Sequence, residues 1–308
     1  MSIAVIIGVH DGIVLAADSA STLTITAAPG AAAGVANVYD NANKIFNLYK
    51  AMPIGCVTFG AGSIGNSSIG TLIKDLRAAL MDKDNAAQLR INFDPDNYTM
   101  EEVSKTVAKF LGDECQKQNP STLSNMNIGL LLGGYSTNQS LGESWRVELK
   151  AGVATEPTQL RQPDQAGISW GGLGEAIQRI VLGFSPLIFQ ALADVSGEEG
   201  KEPATAQQLF DQLNQLLINK LQANLVFAPM PIQDAIDLGR FLVHVSIMFS
   251  RFLPGAQMVG DPIEIAAITK HEGFKWISRK HYYDQTLNKE PLHVVVDKSE
   301  KDRRTVGE

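Results

Sequence analysis

The feature that most constrains this chain is a pair of apolar segments at its start. Residues 3–9 and 13–17 are rich in β-branched side chains, and the turn sequence His10-Asp11-Gly12 separates them. An Asp-Gly pair between two such segments is a strong local signal for a β-hairpin. The chain is therefore predicted to begin as a pair of strands.

Ser2 stands immediately before the first of these strands. Removal of Met1 is expected because Ser2 is small, and the mature chain would then begin with a serine that carries both a hydroxyl and a free α-amine. An α-amine titrates near ~7.7–8.0, so a useful fraction is neutral at pH 7 and can accept the hydroxyl proton. Ser2 is therefore a candidate N-terminal nucleophile. A Met-Ser start is also ordinary in proteins without this chemistry, so Ser2 alone leaves both interpretations open.

The charge balance excludes some classes of partner. A formal net charge of −7 and a pI near 5.3 argue against a nucleic acid or an anionic membrane surface, since either would need a basic face. Cys56 and Cys115 are the only two cysteines, so neither a disulfide framework nor a zinc site is indicated. With no basic leader and no apolar stretch long enough to span a bilayer, a reducing, cytoplasmic location is expected.

Hydrophobic periodicity and turn residues predict blocks of strands and helices rather than strict alternation. Further strands are predicted at 54–59, 126–132, 145–149, 167–169, 262–269 and 274–277, and helices at 69–80, 99–118, 204–225 and 232–252. This order predicts a layered α+β fold in a single domain at 1–278. A helical insertion is predicted at about 185–228, a loop at the Ala- and Gly-rich stretch 27–34, and a polar C-terminal tail at 279–308.

The glycine-rich turn at 60–65 supports two other hypotheses. It matches the G-x-G-x-x-G fingerprint of dinucleotide-binding proteins, with Asp82 and Asp84 about twenty residues further on. The second parallel strand that such a unit needs is missing from the sequence that follows. The turn also places Ser63 one residue away from a nucleophile elbow, with His244, His271, His281 and His293 as available bases. A tight turn between a strand and a helix explains the same glycines without either function.

Several of these features occur in the order found in one known family. Ser2, Asp18 at the end of the second strand, the segment Asn43-Lys44-Ile45-Phe46, and Ala61-Gly62-Ser63 before a helix together resemble the proteasome β-subunit family, including its bacterial two-component peptidase relatives. The glycine-rich segments at 132–135 and 170–176 and the segment 260–269 also resemble later strands of that family. The resemblance covers most of residues 2–278.

The resemblance implies a four-layer αββα fold and an N-terminal nucleophile hydrolase that cleaves peptide bonds through Ser2. Asp18 and Lys44 would be the catalytic aspartate and lysine, and the amide of Gly62 would stabilise the oxyanion. A second set of residues would line the pocket for the residue before the cleaved bond: Ser21, Phe46, Ile64 and Ser68. The resemblance further implies a ring or stacked homo-oligomer acting on unfolded polypeptides without a cofactor or metal, with an ATP-driven unfoldase as a candidate partner.

The sequence also departs from the family pattern. Gly171 stands where the family usually has a serine, with Ser169 two positions earlier, and Ala256 and Val259 replace an aspartate and a serine at the edge of the site. The segment between Asp18 and Lys44 is also longer than usual. These departures support an alternative in which the chain is a catalytically inactive assembly or scaffold protein.

Overall fold

The structure, a computed structural model, describes residues 2–25, 34–82, 93–185, 187–196, 203–284 and 287. The strands are β1 (Ile3–Val9), β2 (Gly12–Ala17), β3 (Ser21–Ile25), β4 (Gly34–Tyr39), β5 (Ile45–Asn47), β6 (Ile54–Gly60), β7 (Ser63–Ile64), β8 (Ser67–Ser68), β9 (Asn127–Gly134), β10 (Glu143–Lys150), β11 (Val153–Ala154), β12 (Thr158–Arg161), β13 (Gly167–Gly172), β14 (Glu264–Thr269) and β15 (Gly273–Ser278). The helices are α1 (Ile69–Met81), α2 (Met100–Gln116), α3 (Pro120–Leu123), α4 (Glu175–Val181), α5 (Leu187–Ser196), α6 (Pro203–Leu221) and α7 (Ile232–Phe252).

The opening hairpin lies at the centre of the first sheet. Its strand order is β13-β1-β2-β14-β15, and every neighbouring pair is antiparallel. The register places Ile3 opposite Gly172 and Ala17 opposite Glu264. Both neighbours of the hairpin are therefore contributed by segments far along the chain.

The second sheet has the order β11-β10-β9-β6-β5, with β12 also paired to β10, and its pairs are antiparallel as well. Two small hairpins, β3 with β4 and β7 with β8, complete the described strands. The predicted class is confirmed to the extent that the fold mixes helices with antiparallel sheets. No βαβ crossover joins parallel strands in the described ranges, so the dinucleotide-binding hypothesis for residues 60–65 is wrong.

The alternation of side chains along β1 explains why the first segment is apolar throughout. Ile3, Val5 and Ile7 pack in a cluster with α4 and α7, whereas Ala4 and Ile6 pack against residues of the second sheet. Successive strand residues point to opposite faces, so a strand covered on both faces needs apolar residues at every position. A third cluster joins the second sheet to α1 and α2.

Most helix predictions agree with the structure. The helix predicted at 99–118 is α2, and that predicted at 232–252 is α7. None of the helices in the described ranges combines the length and low polarity that crossing a membrane requires. Helices α5 and α6 occur where an insertion was predicted, and that assignment stays a prediction.

Some predicted features fall outside the described residues: all of the loop at 27–34 except Gly34, Asp84, His293, and most of the tail at 279–308. Within the predicted insertion, α5 was not predicted as a separate helix, and the sequence pattern did not predict the small hairpin of β3 and β4 or the short strands β5, β11 and β12.

Candidate active site

Asp18 is the centre of a buried hydrogen-bond network just beyond β2. Its side chain is fully buried. Oδ1 accepts the N–H of Ile3 at 2.9 Å and the ammonium of Lys44 at 2.5 Å, while Oδ2 accepts the N–H of Ala20 at 2.9 Å and that of Gly260 at 3.2 Å. A carboxylate with this many donors is strongly held in one orientation.

Ser2 is held through its own backbone and that of its neighbours. Its carbonyl oxygen accepts the N–H of Leu173 at 2.8 Å, and the next amide, that of Ile3, donates to Asp18. The carbonyl of Ile3 in turn accepts the N–H of Asp18 at 3.3 Å. Ser2 therefore sits at a fixed distance from the buried carboxylate.

Lys44 forms the second half of the buried ion pair. The residue immediately precedes β5, only 4% of its surface is exposed, and its carbonyl accepts the N–H of Thr58 in β6 at 2.9 Å. Burial lowers the pKa of Lys44, while the charge of Asp18 and the hydrogen bond to it act in the opposite direction. A buried amine with a lowered pKa beside a carboxylate is a recognised property of functional sites.

Ser2 and Lys44, but not the buried Asp18, line a cavity of about 270 Å³. Its walls include Ser2, Lys44, Thr58 and Gly62. Of the residues that the structure describes, no histidine lines this cavity. A base other than imidazole is therefore required for any nucleophile in this cavity.

Gly62 lies in the turn between β6 and the hairpin of β7 and β8. Its carbonyl accepts the N–H of Ile69 at the start of α1, at 2.9 Å. Within the described residues, the N–H of Gly62 itself has no protein acceptor. A free backbone N–H that lines a cavity is the kind of donor that stabilises an oxyanion.

The predicted pocket residues divide into two groups. Ser21 and Ser68 line the cavity, and Ser68 also caps α1 by accepting the N–H of Thr71. Phe46 and Ile64 are 5% and 2% exposed, belong to the core cluster beneath α1, and are not among the lining residues. A role of these two residues in substrate selection stays a prediction.

The positions where the sequence departs from the family pattern are also clear in the structure. Gly171 pairs with Ala4 inside the first sheet, and the hydroxyl of Ser169 accepts a hydrogen bond from Arg161 at 2.7 Å. Val259 is fully buried in the core beneath α7, while Ala256 is exposed. Only the backbone N–H of the next residue, Gly260, reaches the network of Asp18.

The nucleophile-elbow hypothesis for Ser63 does not fit this geometry. Ser63 is exposed and belongs to the two-residue strand β7, where it pairs with Ser68. A nucleophile elbow places its serine on a sharp turn directly between a strand and a helix. The glycines of this turn instead bring the backbone of residues 60–62 to the wall of the cavity.

Two charged residues next to the site were missed by the sequence analysis. Glu264 is 1% exposed and begins β14, and Lys280, which follows β15, lies 3.0 Å from it. The signal for Glu264 was a carboxylate at the start of an otherwise apolar strand. Lys280 gave no signal, because its polar surroundings are typical of a solvated segment.

Comparison with known proteins adds information on the fold. No protein-family model and no curated protein matches the sequence. Among solved structures, Anbu (ancestral beta-subunit) from Yersinia bercovieri is 12% identical with a TM-score of 0.50, and the match covers 91% of this chain and 89% of that one. Anbu from Hyphomicrobium sp. strain MC1 is 14% identical with a TM-score of 0.48, and that match covers 99% and 98% of the two chains.

The first of these matches corrects the family assignment made from the sequence. The assignment to the proteasome β-subunit family is wrong, because the matching Yersinia structure is an Anbu protein, which is proteasome-like in fold but is not a proteasome β-subunit itself. At 12% identity the likeness to the Yersinia protein concerns the fold alone. The chain therefore has a proteasome-like fold, and its chemistry has to be argued from its own residues.

Proposed function

We propose that this protein is a peptidase that uses Ser2 as an N-terminal nucleophile after Met1 has been removed. The observation that carries the proposal is the buried ion pair of Asp18 and Lys44, whose lysine lines one cavity together with Ser2 and Gly62. A nucleophile, a cation and a free backbone donor thus share one cavity. These are the parts that acyl transfer requires.

The reaction follows from these parts. The hydroxyl oxygen of Ser2 attacks the carbonyl carbon of the substrate, and its proton passes to the neutral α-amine of the same residue. The N–H of Gly62 donates to the oxyanion that forms. When the C–N bond breaks, the leaving amine takes the proton from the α-ammonium, and an ester to Ser2 remains. Water then attacks the ester, which releases the carboxylic acid and restores the hydroxyl.

Lys44 supplies the electrostatic part of this mechanism. A nearby cation favours the deprotonated forms of the hydroxyl and of the α-amine, so it lowers the pKa of both. Asp18 keeps the ammonium of Lys44 in place at 2.5 Å, and the same carboxylate holds the amide that follows Ser2. One residue therefore positions both the cation and the nucleophile.

The proposal includes an architecture and an environment. A four-layer αββα arrangement is supported by the three core clusters, which lie between one helix pair and the first sheet, between the two sheets, and between the second sheet and α1 with α2. A homo-oligomer is supported by exposed apolar side chains on and after α7, including Phe241, Phe252 and Leu253. The free, buried thiols of Cys56 and Cys115 support a cytoplasmic location. We propose unfolded polypeptides as substrates.

The decisive variant is Ser2→Ala. It removes the nucleophilic oxygen and leaves the α-amine and the ion pair intact. We expect hydrolysis of an unstructured fluorogenic peptide to fall by about a thousand-fold or more, with the oligomeric mass in native mass spectrometry unchanged. Ser63→Ala is the matched control, because Ser63 is an exposed serine in the adjoining turn. The control should keep wild-type activity.

Intact-mass measurement of the wild-type protein completes the experiment. Loss of Met1 is required, because a retained methionine leaves no free α-amine on Ser2. Activity of the Ser2→Ala variant equal to that of the wild type would contradict the proposed mechanism. A wild-type protein that has lost Met1, assembles and hydrolyses no peptide would favour the inactive scaffold, the alternative suggested by Ala256 and Val259.

A further inference from the structure

A second buried ion pair lies beside that of Asp18 and Lys44. The ammonium of Lys280 is 3.0 Å from Oε2 of Glu264, and the two side chains are 12% and 2% exposed. Glu264 begins β14, and Lys280 follows the last described strand. Surface pairs contribute little to stability, but ions at this depth interact strongly with every neighbouring charge.

Direct hydrogen bonds connect the second pair to the first. Lys280 donates to the hydroxyl of Ser19 at 2.6 Å and to the carbonyl of Ala42 at 2.7 Å. Glu264 accepts a long hydrogen bond of 3.5 Å from the backbone N–H of Lys44. Lys280 therefore contacts Ser19, the residue after Asp18. Together, Lys280 and Glu264 contact the two residues on either side of Asn43. The segments that carry the first ion pair are held by the second.

The four charges form two neighbouring pairs, each of which is neutral. Asp18 and Glu264 contribute two negative charges, and Lys44 and Lys280 contribute two positive ones. Two further charged residues lie next to members of the network: the exposed Asp40, whose carboxylate is 3.1 Å from where a Cβ of Gly260 would lie, and Arg279, which precedes Lys280 in the chain and stacks over Trp276. Removal of a single member would leave one buried charge without compensation, and such a charge is costly.

The two pairs also influence each other's protonation. Burial is the main cause that lowers the pKa of Lys44, and Asp18 raises this pKa. The positive charge of Lys280 also lowers the pKa of Lys44, and the negative charge of Glu264 raises it. Burial likewise lowers the pKa of Lys280, and Glu264 and Asp18 oppose the change. The positive charge of Lys280 thus destabilises the protonated form of Lys44, although Lys280 does not line the cavity.

We propose that Lys280, together with Glu264, is a positioning pair for the candidate active site, which sets the charge state and the place of Lys44. The inference rests on the proposed function, because it assigns these two residues to the same site. Neither residue lines the cavity that contains Ser2. Their effect on the reaction therefore passes through Lys44 and the backbone around it.

Three variants separate an electrostatic role from a merely structural one. Lys280→Met removes the repelling charge and leaves Glu264 facing Lys44, so we expect the pKa of Lys44 to rise by roughly one pH unit. Lys280→Met combined with Glu264→Gln removes both opposing charges and should return the pKa towards the wild-type value. Lys280→Arg keeps the charge and should stay near the wild type. If the effect of Lys280→Met came from a structural defect, the Lys44 titration of the double variant would differ from the wild type by more than that of the single variant.

The measurement is the titration of the Lys44 side chain by NMR in protein with isotope-labelled lysine. The signal that is missing from the spectrum of the Lys44→Arg variant identifies Lys44. This signal needs no turnover. In parallel, the pH profile for acylation of Ser2 by an activated ester should move in the same direction as the NMR titration.

Each outcome decides the inference. A Lys44 titration that does not change in Lys280→Met, or a change that the double variant fails to reverse, overturns it. If Lys280→Met does not fold, the double variant and Lys280→Arg still test the inference, because a buried neutral pair is tolerated where one unpaired ion is not. The inference then requires that both variants fold and that the pKa of Lys44 in both is close to the wild-type value. If the Lys44 titration shifts as expected but the protein hydrolyses no peptide, the positioning role of Lys280 and Glu264 is supported and only the proposed function is refuted.

Discussion

At Gly172 the backbone comes closer to the candidate nucleophile than a side chain would permit. The residue has a φ of +92°, and a Cβ atom at this position would lie 1.9 Å from the carbonyl oxygen of Ser2. That oxygen is the one that accepts the N–H of Leu173. A residue with a side chain has to move β13 or Ser2, so glycine is required by sterics as well as by conformation.

We therefore expect Gly172→Ala to destabilise the fold by about 2–5 kcal/mol, the sum of the strain of a positive φ and of the clash. Hydrolysis should fall by more than stability alone explains, because Ser2 is displaced. Chemical denaturation and peptide hydrolysis measure the two effects. Gly255→Ala is the matched control, with a φ of +114° and no atom within 4 Å of the added Cβ. An equal effect of both substitutions would exclude the clash with Ser2 as the cause.

Among the elements, α2 has the best-defined beginning. Thr99 accepts the N–H of Glu102 at 3.2 Å through its hydroxyl, and the carboxylate of Glu102 accepts the N–H of Thr99 at 2.9 Å. A third donor of the first turn, the N–H of Met100, is satisfied by Ser136 at 2.8 Å. These contacts fix the helix on the second sheet, where its apolar face completes the core beneath α1.

Thr99→Ala should lower the free energy of unfolding by about 1 kcal/mol, because the N–H of Glu102 loses its acceptor. Thr99→Ser keeps the hydroxyl and should lose much less. Urea denaturation followed by circular dichroism provides the comparison. If the serine variant loses as much as the alanine variant, packing of the threonine methyl rather than capping explains the effect.

At the scale of the whole molecule, the two sheets are joined by a core to which both contribute. Leu131 in β9 is fully buried in this core together with Ile6 and Ile13 of the opening hairpin. Gly133 permits the close approach, because a Cβ at this residue would lie 2.8 Å from the side chain of Ile13. The first sheet therefore packs on the second through β1 and β2, and Ser2 and Asp18 adjoin the ends of these two strands.

Leu131→Ala should cost about 2–5 kcal/mol, the usual range for a truncated leucine in a core that cannot collapse. Val153→Ala removes an apolar side chain that is 69% exposed and should change stability by about 0.5 kcal/mol or less. The midpoint of chemical denaturation measures both variants. A loss at Leu131 as small as that at Val153 would mean that the two sheets do not share a rigid core.

The sequence predicted those parts of the fold and site that depend on local pattern. The hairpin follows from Asp11-Gly12 and α2 follows from its capping residues, whereas Ser2, Asp18 and Lys44 were proposed together because their order along the chain resembles that of the proteasome β-subunit family. The short strands β3 and β4 were missed because they flank a stretch of small residues whose composition is typical of a loop.

The partners of the ion pairs could not be predicted in the same way. Glu264 and Lys44 are 220 positions apart, and Lys280 and Ser19 are separated by 261. The strand order of the first sheet and the contact of β14 with β5 of the second sheet bring these residues together, and no local periodicity encodes either. The position of Phe46 and Ile64 beneath the cavity is likewise set by how α1 packs on the sheet.

The strand order of the first sheet also governs when the site is completed during synthesis. Strand β1 gains its neighbour β13 only after residue 172 has been made, and β2 gains β14 only after residue 269. Gly260, Glu264 and Lys280, which close the network around Asp18 and Lys44, follow later still than β13. The network around Asp18 and Lys44 can therefore be completed only after residue 280 has been made.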